Sequence, residues 1–270
     1  MAEPELYVRL LVTDRAGAGR GIGGRLLEHA RTIARPGDRG TPAGGSAAQR
    51  GKCYKRAMEL TKYGHACVRL EKKGRTLVID PGAMTPEREA LADAEAVLIT
   101  HEHFDHFEPE RLRAAAASNP ALVIYTCPGV ARHLTELDQQ VRVVRNGDTV
   151  QVAGFQVQVV GHKHHRSHPD VPPVDNVGFL IDDEVLHPGD ALTLVDVPTL
   201  LVPGQAPWMT VPDMIEYLRR MAPRRAYAIH DGLLNDWGLQ VLDSVLQSEA
   251  QGLDADIRRL LLGERVHLAQ

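Results

Sequence analysis

From residue 58 onward, short apolar runs alternate with turns marked by glycine, proline and aspartate. Residues 60–63, 66–71 and 75–79 read as strands, the last two joined by a Lys73-Gly74 turn. Residues 94–100 (AEAVLIT) form a continuous apolar run, the pattern of a strand buried on both faces. Further strands are predicted at 122–125, 141–144, 149–152, 155–160, 177–181, 184–186, 199–202 and 225–229, with a hairpin around Asp182-Asp183. Helices are predicted at 86–92, 108–117, 129–137, 211–221 and 239–249. Strands in runs, with helices between the later ones, predict an α/β protein whose sheets are covered by helices on their outer faces.

The first 57 residues have a different character. Residues 36–51 (PGDRGTPAGGSAAQRG) are rich in Gly, Pro, Ala and Ser, so 36–57 reads as a flexible linker. Before it come an apolar run at 6–13, the glycine turn AGAGRGIGG and an amphipathic segment at 26–34, in the order strand, turn, helix. Gly19, Gly21 and Gly24 satisfy G-x-G-x-x-G, but the acidic residue and second strand of a dinucleotide site are missing, and no Gly-Lys-Ser/Thr follows. The stretch LLVTDRAGAGRGIGGRLLEHARTIAR resembles the acetyl-CoA motif of GCN5-related N-acetyltransferases, with Ala18 where that family usually has Gln or Arg. A strand and a helix alone cannot bury a core, so residues 1–35 are expected to be a non-functional fragment or extension. Translation is expected to start at Met58, which opens the first well-patterned strand.

Composition narrows the field. Of 270 residues, 43% are hydrophobic and 24% charged, which is ordinary globular usage. No apolar run reaches the roughly 20 residues of a bilayer span, and no signal peptide is apparent. Cys53, Cys67 and Cys127 form no closely spaced pair, which suits a reducing, cytoplasmic setting and excludes a cysteine-based zinc ribbon. The net charge of -4 divides into +6 for residues 1–57 and -10 for 58–270. An acidic main body argues against a nucleic-acid partner, because phosphate binding rests on Lys and Arg.

Thirteen histidines are present, and nine lie between His101 and His187. Directly after AEAVLIT comes His101-Glu102-His103-Phe104-Asp105-His106. Three imidazoles and a carboxylate this close cannot share one helix or strand face, but they converge if the chain turns over a metal. His101 and His103 can then serve one ion, and Asp105 and His106 a second.

This motif resembles that of the metallo-β-lactamase-fold hydrolases, and the resemblance covers residues 58–270. It implies an αββα sandwich with two metal ions at one rim. On this resemblance Asp80 in TLVIDPG supports the metal loop through hydrogen bonds. A lone histidine ligand is implied among His162, His164, His165 and His168 in GHKHHRSHPD, and the alignment on His-Pro-Asp and Asn-Val-Gly picks His164. Asp190 in LHPGDAL is implied as the bridging carboxylate and His230 in RRAYAIHDG as the final ligand. His187 is expected to be structural. The implied set is His101, His103 and His164 on one ion, Asp105, His106 and His230 on the other, and Asp190 between them.

The resemblance further implies hydrolysis of a lactone, ester or phosphoester in a small molecule by a metal-bound hydroxide, with Asp105 moving a proton. Zinc is the expected metal, with manganese or iron as alternatives. The alternative functions are a phosphodiesterase or nuclease of the same fold and a non-catalytic metal-binding scaffold. His65 in KYGHACVRL is similar to a histidine of small members akin to ascorbate-6-phosphate lactonase, and it is expected to face the site or to be structural. Trp208 in GQAPW is expected in the substrate wall or in packing.

Overall fold

Among the described residues, fourteen strands, most with one or both faces apolar, assemble into two sheets. A computed structural model describes residues 58–85 and 88–268. The acetyltransferase-like segment, the linker and the start of the predicted helix at 86–92 lie outside the described residues.

The first half of the described chain contributes β1 (Met58–Lys62), β2 (Val68–Lys72), β3 (Arg75–Ile79), β4 (Ala96–Ile99), helix α1 (Pro109–Ser118), β5 (Val123–Thr126), the single turn α2 (Pro128–Ala131) and β6 (Val141–Val143). The second half contributes β7 (Thr149–Val152), β8 (Phe155–Val160), β9 (Gly178–Ile181), β10 (Val185–His187), β11 (Thr199–Pro203), α3 (Val211–Met221), β12 (Arg225–Ile229), α4 (Asp236–Leu253), β13 (Asp256–Arg259) and β14 (Arg265–Leu268). One seven-stranded sheet runs β14-β1-β2-β3-β4-β5-β6 and the other β13-β12-β11-β10-β9-β8-β7. Each is mixed: β3 to β6 are parallel in the first, β10 to β13 in the second.

The layering follows from the buried residues. Leu60, Leu70, Ile79 and Leu98 of the first sheet share one core with Phe155, Phe179, Leu201 and Tyr227 of the second, so the sheets pack face to face. The outer face of the second sheet packs Leu186, Leu200 and Val202 against Met214 and Leu218 of α3 and Leu242 and Leu246 of α4. On the first sheet, α1 buries Leu112 and Ala116. The result is the expected αββα sandwich. All four residues of β4 are buried, as its unbroken apolar run requires.

The hairpin turns form as predicted. Lys73 and Gly74 have φ of 54° and 75°, and Asp182 and Asp183 have 52° and 54°; two left-handed residues in succession match the twist of antiparallel strands. Other elements differ from expectation. The helix predicted at 129–137 breaks at Leu134, whose φ of -127° separates α2 from a 3₁₀ turn at Thr135–Leu137. Val130 and Leu134 are both in the core. The described part of the 86–92 segment is a 3₁₀ turn, Arg88–Leu91. Helix α4 is longer than predicted, opened by Asn235 accepting from the Gly238 N–H and closed by Asp254 in the left-handed region. Strands β13 and β14 were not anticipated, because DIRR and RVHL each bury a single residue fully. No helix among the described residues is long and apolar enough to cross a membrane.

Candidate metal centre

The strand ends β3, β4, β10 and β12 deliver the polar residues to one rim. After β3 the chain turns sharply through Asp80, at φ 50°, into Pro81-Gly82. A Cβ on Gly82 would lie 2.1 Å from the Asp105 carbonyl oxygen and 2.5 Å from the His106 nitrogen, so this backbone contact requires glycine. The Ala83 N–H donates to the Phe104 carbonyl at 2.8 Å. The Asp80 turn thereby braces the loop that carries His101 to His106.

Hydrogen bonds behind each imidazole decide which nitrogen faces the rim. Asp80 accepts from the Thr100 N–H at 2.8 Å and from the Thr100 hydroxyl at 2.6 Å. With that hydroxyl proton committed, Thr100 Oγ1 can only accept from His101 Nδ1, 3.0 Å away. His106 Nδ1 lies 2.7 Å from Asp80 Oδ2 and donates to it. His164 Nδ1 donates to the His165 carbonyl at 2.5 Å, and His230 Nδ1 to the Gln205 carbonyl at 2.6 Å. Four imidazoles thus have their protons on Nδ1 and present Nε2 lone pairs inward.

The inward atoms converge. Asp190 Oδ1 is 3.1 Å from His106 Nε2, and Asp190 Oδ2 is 3.2 Å from His230 Nε2 and 3.3 Å from His164 Nε2. His101 Nε2 is 3.1 Å from His103 Nδ1. Donor atoms of His101, His103, His164 and Asp190 all lie within 4.8 Å of one another, and those of His65, Asp105, His106 and His230 form a second such group. Asp190 itself is held by Asn176, whose side-chain oxygen accepts the Asp190 N–H at 3.0 Å while its nitrogen donates to Pro188. Gly189, at φ 61°, leaves room for this, since a Cβ there would be 2.3 Å from Asn176 Oδ1.

His65 joins the second group by distance but not by chemistry. Its Nδ1 accepts the Gly232 N–H at 2.9 Å, and burial pushes its pKa down, so the ring is neutral with its proton on Nε2. That proton points at Asp105 Oδ2, 3.2 Å away. His187 is likewise spent: Nε2 donates to the Ala66 carbonyl and Nδ1 accepts the Gly189 N–H.

A divalent cation fits this arrangement. Nε2 of His65, His106, His164 and His230 and Oδ1 of Asp190 are buried with no hydrogen-bond partner, and all but the His65 nitrogen are gathered at the shared rim around Asp190. Unpaired buried polar atoms are costly, and lone pairs facing one another need a cation between them. Three buried carboxylates, Asp80, Asp105 and Asp190, add demand for positive charge. Without an ion that demand falls on protons at Nε2: burial opposes charge on His106, yet the carboxylates of Asp190 and Asp80 override it and raise its pKa well above the usual value. Burial is likewise overridden at His230, where Asp105 and Asp190 lift the pKa to about 9. Mixed imidazole nitrogen and carboxylate oxygen is a zinc-type donor set that manganese and iron also accept.

The structure gathers all seven anticipated ligand residues at this rim, with Asp80 behind His106, His65 beside Asp105 and Trp208 against Asp190. Within 161–168, His164 turns Nε2 toward Asp190, whereas His162 and His168 are exposed and His165 packs on Trp208. Sequence reasoning missed several supporting residues. Thr100 and Asn176 were visible only as polar residues flanking apolar strands. Lys62 and Asp231 form a buried ion pair at 2.6 Å, with Lys62 also donating to the Ala228 carbonyl. This pair ties the end of β1 to the residue after His230.

Residues 59–230 match the family model for the β-lactamase superfamily domain. Protein Rv0786c of Mycobacterium tuberculosis is 36% identical over 184 residues, spanning 66% of this chain and 85% of that protein. A UPF0173 metal-dependent hydrolase of Methanocaldococcus jannaschii, MJ1163, is 26% identical over 137 residues, 48% of this chain and 60% of that protein. The metallo-β-lactamase fold protein YhfI of Bacillus subtilis superposes with a TM-score of 0.61 at 14% identity, covering 79% of this chain and all of YhfI. The chain therefore belongs to the β-lactamase superfamily domain family.

Proposed function

We propose that this member of the β-lactamase superfamily is a dinuclear metal-dependent hydrolase that cleaves a lactone, ester or phosphoester bond in a small molecule. The observation that carries this reading is the convergence of inward Nε2 lone pairs on Asp190, each fixed by an acceptor behind its ring. His101, His103 and His164 would hold one ion, Asp105, His106 and His230 the other, and Asp190 both. Two such ions lower the pKa of a water and polarise the scissile oxygen.

The chain's own residues do the rest. Asp80 and Thr100 orient His106 and His101, and the Gln205 and His165 carbonyls orient His230 and His164. Asp105 moves a proton at its carboxylate. The acidic body favours a small substrate over a polyanion. The described cysteines, Cys67 and Cys127, are free and buried, in keeping with a cytoplasmic setting.

The test is hydrolysis of a sugar lactone, an aryl ester, a thioester and a phosphodiester by zinc- or manganese-reconstituted protein, with a chelated control. Chelator-sensitive turnover of one bond type is expected. Fully metal-loaded protein that turns over none would overturn the hydrolase reading in favour of a metal-binding scaffold.

A further inference from the structure

Asp190 receives one hydrogen bond from a group that cannot itself become a metal ligand. The Trp208 indole Nε1–H donates to Asp190 Oδ2 at 2.6 Å. Indole nitrogen is a donor only, so unlike the imidazole nitrogens around Asp190 it can never become a ligand. The oxygen it holds is the one between the two groups, 3.3 Å from His164 Nε2 and 3.2 Å from His230 Nε2. The other oxygen, Oδ1, has no hydrogen-bond partner. An indole N–H on one oxygen therefore fixes the rotation of the whole carboxylate and leaves the second oxygen free.

The ring adds a second constraint. Its centroid lies 5.6 Å from that of His164 and 6.5 Å from that of His230, so one side chain touches a residue of each group. The backbone that carries it is tied to the same site, because the Gln205 carbonyl accepts the His230 Nδ1 proton. A short bridge between Ala206 and Met209 then turns Trp208 inward, where it is 9% exposed. The segment 205–209 thus holds His230 from behind and Asp190 from the side.

We propose that Trp208 is a positioning residue for the metal pair: its N–H fixes the bridging carboxylate of Asp190 and so couples the two metal sites. This rests on the dinuclear reading above. Partners of this kind typically change metal affinity by about 10–100-fold when removed. The chain has two tryptophans, and Trp237 is 76% exposed, so Trp237→Phe leaves Trp208 as the sole indole at the site.

Two variants test the proposal. Trp208→Phe keeps an aromatic ring and loses the N–H. In the Trp237→Phe background, replacing the Trp208 indole with the benzothienyl side chain removes only the N–H. Chelator competition with zinc should show both variants binding at least one ion about 10–100-fold more weakly than the parent. Unfolding midpoints of their metal-free forms should stay within about 3 °C of the parent, which separates positioning from packing. Cobalt added to Trp237→Phe should also quench Trp208 emission, saturating at two ions per chain. A benzothienyl variant that binds both ions with parental affinity would overturn this proposal alone. A parent that binds fewer than two ions would overturn the dinuclear reading and this proposal with it.

Discussion

His65 offers a sharp test because its two ring nitrogens do different jobs. Nδ1 accepts the Gly232 N–H at 2.9 Å, and Nε2 points its proton at Asp105 Oδ2 at 3.2 Å. His65→Asn places an amide oxygen near the Nδ1 position, so it keeps the Gly232 contact but falls short of Asp105. His65→Gln reaches the Nε2 position, so it keeps a donor to Asp105 and gives up Gly232. A hydrogen bond to a charged group contributes about 1.5–3 kcal/mol, equivalent to about 10–150-fold in an equilibrium constant. Metal affinity of each variant is measured by chelator competition, with the cobalt-substituted absorption spectrum as a second readout. His65→Asn should weaken binding at the Asp105 site about 10–150-fold, and His65→Gln should stay within about threefold of wild type. Loss of one ion from both variants would show that His65 is itself a ligand and would refute the tautomer argument. So would His65→Asn binding more tightly than His65→Gln.

Three further outcomes follow from the geometry. Lys62→Met leaves Asp231 buried without its cation and should cost about 3–5 kcal/mol in urea unfolding, while Lys62→Met with Asp231→Leu should recover much of it. A single variant as stable as wild type would contradict the pairing. Gly82→Ala puts a Cβ 2.1 Å from the Asp105 carbonyl oxygen. It should destabilise by about 1–3 kcal/mol and lower metal content, as read by unfolding and elemental analysis. Chelation should lower the unfolding midpoint, since an ion held at about 100 times its dissociation constant adds about 2.7 kcal/mol of stability. A midpoint indifferent to chelator would mean that the site stabilises no ion.

The ligand-bearing loop was legible because its residue types leave few alternatives: three histidines and an aspartate directly after a strand buried on both faces. Asp80, Asp190 and His230 were implied by the family resemblance, each lying at or just after the end of an apolar strand. What orients them was not. The acceptors behind His164 and His230 are the main-chain carbonyls of His165 and Gln205, and every residue type carries such a carbonyl. The Lys62–Asp231 and His65–Gly232 contacts join residues 169 and 167 positions apart, and only the closed sandwich brings them together. Strands β13 and β14 escaped because DIRR and RVHL are edge strands with little apolar pattern. The predicted helix at 129–137 is instead a single turn, Pro128–Ala131, and a 3₁₀ turn, Thr135–Leu137, although Val130 and Leu134 have the i, i+4 spacing of one helix face.

The central claim is that two ions share Asp190. Crystals of zinc-reconstituted protein, measured on both sides of the zinc absorption edge, test it most directly. Two anomalous peaks about 3.5–4 Å apart are expected, one beside His101, His103 and His164 and one beside Asp105, His106 and His230, with Asp190 between them. A single peak, or a peak ligated by His65, would contradict the account.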